Sequence, residues 1–250
     1  FTALISQLPA GKIDLSSEKD ALSVKSGSFK ARLVGSSGGE FPKVEPPSGK
    51  GLEIKAGDLS LFLRRTLFAT AKDDSRPVLT GIKLTGPEKG EMKAMATDGY
   101  RLSIVTVPAG GFIDAAAIIP AKFLSEADKF SQGTVIDLSI SKSGEVGVAG
   151  EGGWLSGRTL AGEFPPAEKI IPQEFDLKIS VNRQDLERAV KIAAIFARSA
   201  ANIIKWEIKS GKLKVSANSP QVGENETVLE VEGKGEGEIA FIGRYLLDYL

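Results

Sequence analysis

The 250-residue sequence contains neither cysteine nor histidine. Without cysteine there is no disulfide framework, no thiolate metal site and no cysteine nucleophile, a composition that fits a reducing compartment. Without histidine, the commonest general base and the commonest neutral metal ligand are missing as well. An excess of charge is also lacking, because 32 Lys and Arg residues balance 32 Asp and Glu residues. Any attraction to nucleic acid must then come from local segregation of charge. No apolar run approaches the roughly 18 residues of a membrane span. The start Phe1-Thr2-Ala3-Leu4 has neither the basic head nor the cleavage site of a signal peptide. A cytoplasmic protein without membrane contact is expected. What the chain does have is 42% hydrophobic side chains and a length that suits roughly two domains of about 100–150 residues.

A long repeat runs through it. Ile13-Asp14-Leu15 returns as Ile136-Asp137-Leu138, and Gly39-Glu40-Phe41-Pro42 returns as Gly162-Glu163-Phe164-Pro165, each 123 positions further on. Phe1 to Gly11 and Phe123 to Gly133 are both apolar-periodic stretches ending at Gly. Further along, Leu186 to Arg198 corresponds to Leu59 to Thr70, Trp206-Glu207-Ile208 to Ile82-Lys83-Leu84, and Arg244-Tyr245-Leu246 to Lys122-Phe123-Leu124. A period this long makes each copy a domain rather than a stacking unit. The complete copy is expected over 51–173, with the end of an earlier copy at 1–50 and the start of a later one at 174–250. The chain thus reads as an internal fragment, with linkers at Pro46-Pro47-Ser48-Gly49 and Pro172-Gln173-Glu174.

Within the complete copy, Asp58 stands where an N-cap is expected, and Leu59, Phe62, Leu63, Leu67 and Ala71 fall near helical spacing. After Pro77, apolar runs broken at Gly86-Pro87 and Lys89-Gly90 predict antiparallel strands. Ala117-Ile118-Ile119 predicts a buried strand, and Pro120 opens a second helix over Ala121 to Phe130 that closes at Gly133. Strands follow at about 134–140, 145–149 and 154–160, separated by Ser143-Gly144 and by the glycines at 150, 152 and 153. The fold class is α+β, with two helices packed on antiparallel sheets in each copy.

Three motifs then stand out in order: Ser75-Arg76-Pro77-Val78-Leu79-Thr80-Gly81, Ala96-Thr97-Asp98-Gly99-Tyr100-Arg101-Leu102, and Gly162-Glu163-Phe164-Pro165 leading to Ile170-Ile171-Pro172. Over essentially its whole length the sequence resembles the bacterial DNA sliding clamp, the beta subunit of DNA polymerase III. The resemblance implies a processivity factor with the DNA clamp fold and no catalysis or cofactor. Its full-length form would be a homodimer ring, each subunit having three similar domains, closed around duplex DNA without sequence preference. Its partners would be the polymerase III catalytic subunit, the clamp loader and other proteins carrying a clamp-binding motif.

Carried over by motif, the family's partner-peptide pocket would be lined by Arg76, Leu79, Thr97, Gly99, Tyr100, Arg101, Leu102, Pro165, Lys169 and Ile170. Leu79, Leu102, Pro165 and Ile170 would supply an apolar floor, and Arg76 and Arg101 would orient polar groups of the peptide or its chain end. Tyr100 and Lys169 depart from the enterobacterial pattern, which has His and Arg there; Lys offers a point charge where Arg offers a fork. Read as residues alone, the apolar members are ordinary core, and Thr97-Asp98-Gly99 is a turn.

Arg64, Arg65 and Lys72 sit in a stretch without an acid from 59 to 72. They form either a solvated helix face or, by the resemblance, a DNA-facing one, together with Asp73, Pro77 and Val78 at the rim and Arg188, Lys191 and Arg198 in the next copy. Asp73 is a poor phosphate partner. Two other classes compete. An enzyme would have to use carboxylates, Lys, Ser or an oxygen-ligated metal, and the sequence has no paired-acid motif, P-loop or G-x-S-x-G; Asp73-Asp74 lies between Lys72 and Arg76 as ordinary charge balance. A repeated β-rich ligand-binding or adhesion module would suit the Gly-rich hairpins but gives no reason for the Arg-bearing helix.

Overall fold

The computed structural model describes residues 1–36, 38–41, 46–47, 51–111, 116–130, 135–151 and 153–250. They form two compact units, residues 1–45 and residues 46–250.

The first unit opens with a short helix, α1 (Thr2–Ile5), followed by β1 (Asp14–Glu18), β2 (Ala21–Ser26) and β3 (Phe29–Val34) in an antiparallel meander. The periodicity of Phe1 to Gly11 predicts a longer helix than the single turn observed. Pro9 is the physical reason, because the residue before a proline is pushed out of the helical region. Gly38–Glu40 forms a 3-10 turn, while Pro42 of the repeated motif, and Ser48 and Gly49 of the expected linker, lie outside the described residues.

The second unit begins with β4 (Leu52–Lys55) and α2 (Ala56–Thr66), then 3-10 turns at Leu67–Ala69 and Pro77–Thr80. Next come β5 (Gly81–Glu88), β6 (Glu91–Thr97), β7 (Leu102–Pro108), the two-residue β8 (Gly110–Gly111), β9 (Ala117–Pro120) and α3 (Ala121–Phe130). The strands β10 (Val135–Ile140), β11 (Glu145–Gly150) and β12 (Gly153–Arg158) lead to a 3-10 turn at Ala167–Ile170. The remainder is β13 (Lys178–Ser180), α4 (Arg183–Ala197), β14 (Ile203–Lys209), β15 (Lys212–Ser219), β16 (Gly223–Glu230), β17 (Glu232–Lys234), β18 (Gly237–Ile242) and α5 (Gly243–Tyr249).

The repeat read from sequence is visible as topology. One four-stranded sheet has the order β7-β6-β5-β9 and a later one the order β16-β15-β14-β18. In each, the third strand of the order is the first in sequence, it pairs antiparallel on both sides, and the edge strand beside it leads into a helix. Ile82 and Trp206 occupy matching strands, β5 and β14. A second sheet of order β12-β11-β10-β4-β8 backs the middle module.

Burial follows the strand period. In β6, Met92, Ala94 and Ala96 are fully buried on one face. They share a core with Leu59, Phe62 and Leu63 of α2, Leu124 and Ala127 of α3, and Ile136, Leu138, Val146 and Val148 of the second sheet. Side chains buried like Phe62 contribute about 1.5–3 kcal/mol each by leaving water. Ser60 of α2 donates to Asp128 Oδ1 of α3 at 2.5 Å, tying the two helices. The later module has its own core, with Leu186, Ala189, Val190 and Ala193 of α4 against Ile204, Ile208, Leu213 and Val215.

Two local expectations change. Helix α2 starts two residues before Asp58, with extended Lys55 at the N-cap, so Asp58 sits in the first turn and favours the helix dipole there. The helix then tightens at Thr66, whose hydroxyl donates to Phe62 O at 2.7 Å, leaving Leu67 in a 3-10 turn and Ala71 beyond it. Strand β5 runs through Gly86-Pro87 rather than breaking there. Gly86, at φ 102°, takes up an irregularity between Thr85 and Glu88 that few side chains would tolerate. The close of α3 at Gly133, the residue Thr134 and the glycine at 152 lie outside the described residues.

Candidate partner-binding site

The three motifs meet at one end of the middle module. Met95, Ile118, Phe164 and Ala167 form a small buried cluster on which Val78, Leu102 and Leu160 pack, so each motif contributes to one apolar floor. Leu79 is 2% exposed, held by its own amide on Arg76 O and by its carbonyl on the Ala71 amide.

Between β6 and β7, residues 97–101 make a turn braced by the side chains of Thr97, Asp98 and Arg101. Thr97 Oγ1 accepts from the Gly99 amide at 3.1 Å and donates to Arg101 O at 2.7 Å. Asp98 Oδ1 accepts from the amides of Tyr100 and Arg101, both at 3.0 Å. The braced turn leaves Tyr100 80% exposed. Arg76, also exposed, reaches the same turn through Nη2 to Asp98 O at 3.3 Å.

On the other side, Lys93 of β6 holds the 3-10 turn 167–170 through its contact with Glu168 Oε1 at 2.6 Å. That hydrogen bond and the ammonium charge hold the Glu168 carboxyl below its usual range. The turn buries Ala167 and sends Ile170 outward, 75% exposed, beside exposed Pro165 and Lys169. An exposed branched aliphatic and an exposed aromatic, on two turns whose flanking residues share one buried apolar cluster and with Arg76 and Lys169 also exposed, suit an extended ligand with apolar anchors.

Arg101 is different from what its motif suggests. Each of its three nitrogens is engaged within the chain. Nε meets Asp98 Oδ2 at 3.0 Å, Nη1 meets Asp248 Oδ2 at 2.6 Å, and Nη2 donates to Phe68 O. Its side chain is 11% exposed and its guanidinium carbon lies over the rings of Phe68 and Tyr245, 5.3 Å and 4.3 Å from their centroids. Phe68, Tyr245 and Asp248 escape sequence reasoning. Asp248 stands 147 residues from its partner, and no local pattern marks so distant a pair.

The cationic residues expected to face DNA divide into two sets. Arg64, Arg65, Lys72 and Arg198 are exposed and make no ion pair among the described residues. On α4, Lys191 is 2.5 Å from Glu187, and Arg188 is 3.7 Å from Asp185, so much of that helix's positive charge is answered locally. The Lys191 hydrogen bond lowers the pKa of Glu187. Asp73 accepts from the Ser75 hydroxyl and amide, which hold its carboxyl below the usual range. It shapes the loop before Pro77 and Val78, and its own negative charge opposes contact with phosphate there. Among the described residues no three Asp or Glu side chains gather as metal ligands, and no helix is long and apolar enough to cross a membrane.

Modules of one repeated α+β topology, two helices against antiparallel sheets, place this chain among the DNA-clamp folds. Residues 53–166 match the family model for the central domain of the DNA polymerase III beta subunit, and residues 168–250 match that for its C-terminal domain. The beta sliding clamp of Synechococcus elongatus is 31% identical over 99% of the chain, which spans 68% of that relative. The clamp of Pseudomonas aeruginosa is 31% identical over 95% of the chain and 66% of that relative. Among solved structures, the DNA polymerase III beta subunit of Pseudomonas aeruginosa matches at a TM-score of 0.84 and 28% identity, covering 99% of this chain and 69% of that one. The sliding clamp of Bacillus subtilis matches at 0.85 and 25%, covering 99% and 67%.

The chain belongs to the family of DNA polymerase III beta subunits, the bacterial sliding clamps. Its function is that of a sliding clamp in DNA replication, a processivity factor with DNA and polymerase as partners and no catalytic activity of its own.

Proposed function

We propose that this clamp tethers its partners through a peptide site whose wall in this chain is formed by Arg76, Leu79, Thr97, Gly99, Tyr100, Leu102, Pro165, Lys169 and Ile170, with Arg101 bracing the turn from behind. The partners are the polymerase III catalytic subunit, the clamp loader and other proteins carrying a short clamp-binding motif. The observation that carries this reading is the outward Ile170, 75% exposed on a turn that Lys93 holds in place and whose Ala167 belongs to the same buried cluster as Phe164 and Leu102. A free apolar side chain on a rigid turn favours an extended peptide because little ordering remains to oppose binding.

In this reading residues 1–50 close a first clamp domain, 51–173 are the second, and 174–250 open a third. The full-length protein is a head-to-tail ring of two subunits around duplex DNA, with Arg64, Arg65, Lys72, Arg188, Lys191 and Arg198 toward the hole and Asp73, Pro77 and Val78 at its rim. A near-neutral protein with a few unpaired arginines and lysines suits sliding, since phosphate contacts are sequence-independent and weaken with salt.

The test is fluorescence anisotropy with a short polymerase-derived clamp-binding peptide. Saturable binding that weakens about tenfold, or about 1.4 kcal/mol, in Ile170→Ala supports the site. Binding indifferent to that change removes it.

A further inference from the structure

The joint between the middle module and the later one is thin. Among the described residues no helix or strand of residues 51–170 packs along one of residues 178–250. A cleft of 830 Å³ opens between them, with Arg64, Ile104 and Val105 on one side and Ile179, Val181 and Leu186 on the other. The connecting residues 171–177 have no regular structure. One ion pair joins the two sides among the described residues, Arg101 with Asp248.

We infer that Arg101 and Asp248 are the pin of this joint: Arg101 is a positioning residue that sets the angle between the modules, rather than a contact of the bound peptide. The middle module prepares the guanidinium in advance. Asp98 fixes Nε and the Arg101 amide, Phe68 O takes Nη2, and the Phe68 ring covers one face. The later module supplies what is missing from one side of one helix, since Tyr245 and Asp248 stand three residues apart on α5. Tyr245 covers the guanidinium at 4.3 Å and Asp248 takes Nη1 at 2.6 Å. A planar fork that satisfies three acceptors in three directions and sits over two aromatic rings has one orientation, and a Lys ammonium in its place would not hold it. Water screens the pair little, because the Arg101 side chain is 11% exposed and that of Asp248 31%.

The pin stands on this geometry alone. Its effect on partners rests on the peptide site proposed above, because the braced turn 97–101 is both the anchor of the pin and the part that presents Tyr100. If loss of the pin leaves a tenth of the molecules with the competent angle, the apparent peptide Kd rises about tenfold with every peptide-binding side chain still in place.

The chain has no native cysteine, so Lys142→Cys and Lys209→Cys place one spin label on each module at exposed positions. The distance distribution between them is then recorded without peptide. A narrow distribution is expected in the labelled parent. Broadening of similar size is expected in Arg101→Ala, Arg101→Lys and Asp248→Asn, with no further broadening when Arg101→Ala and Asp248→Asn are combined. Asp248→Asn keeps the shape of its side chain and decides the matter should Arg101→Ala fail to fold. A distribution in Asp248→Asn as narrow as the parent's overturns the pin. So does a peptide affinity that falls in Arg101→Ala alone while every distribution stays narrow, since that marks a direct contact. Failure of the labelled parent to bind peptide at all defeats the peptide site and leaves the distance measurement to decide the pin.

Discussion

Gly99 lies directly under the guanidinium of Arg76: a Cβ built on Gly99 would stand 3.0 Å from Nη2 and 3.1 Å from Nη1. The backbone there has φ +93°, a region that side chains rarely adopt. Gly99→Ala is therefore expected to cost about 1–3 kcal/mol through backbone strain and to displace Arg76 from Asp98 O. Urea denaturation reads the first effect. An unchanged midpoint would show that the turn relaxes without difficulty.

Leu79 and Ile170 belong to the same proposed site but differ in burial. Leu79 is buried, so Leu79→Ala should destabilise the chain by about 2–5 kcal/mol. Ile170 touches solvent over most of its surface, so Ile170→Ala should change stability by no more than about 0.5 kcal/mol while weakening peptide binding. Thermal melts and anisotropy on the same two preparations check the contrast. Equal losses of stability would mean that Ile170 is a packing residue.

Asp137 faces Glu53 across the β10 and β4 pair, and its Oδ1 is buried without a hydrogen-bond partner. Burial, then the charge of Glu53, raises its pKa above the ordinary aspartate value of 3.8. The folded chain thus binds this proton more readily than the unfolded chain does. The ionised group opposes folding at neutral pH, and that opposition is relieved as pH falls through the raised pKa toward 3.8. Asp137→Asn should raise the melting midpoint at pH 7, by roughly 2–4 °C for each kcal/mol relieved, and should narrow its advantage as the pH approaches 4. A midpoint difference between variant and parent that does not change over that range would rule this out.

Arg64 and Arg65 are free of carboxylate partners among the described residues. If they meet phosphates, replacing both with Ala should reduce the slope of log K for duplex DNA against log salt by about 0.9 for each phosphate no longer neutralised, equally on unrelated sequences. Titrations at several salt concentrations measure that slope. An unchanged slope assigns both residues to the solvated helix face.

The repeat was legible because homologous strands keep their alternation and their turn residues even where few identities survive, and the shared order of β7-β6-β5-β9 and β16-β15-β14-β18 follows from it. Element boundaries were less so. The expected helix from Phe1 reached only Ile5 because Pro9 limits it, and Lys55, not Asp58, precedes α2. Ile-Asp-Leu recurs, yet the two aspartates differ in setting: Asp14 bridges Lys12 at 3.2 Å while Asp137 meets Glu53. A motif conveys backbone placement, and the charge opposite it comes from whichever strand pairs alongside.

The sequence by itself determined the repeated α+β modules, the family and the short motifs that gather at one end of the middle module, because these rest on periodicity and local turn chemistry. Only the tertiary structure decided which arginine stays exposed. Arg76 and Arg101 carry the same charge 25 positions apart, and Arg101 is spent because the chain brings Asp248 and the Tyr245 ring back to it after more than half its length. A side chain's hydrogen-bonding capacity is local to the residue, but its saturation depends on what folding places within 3 Å of it.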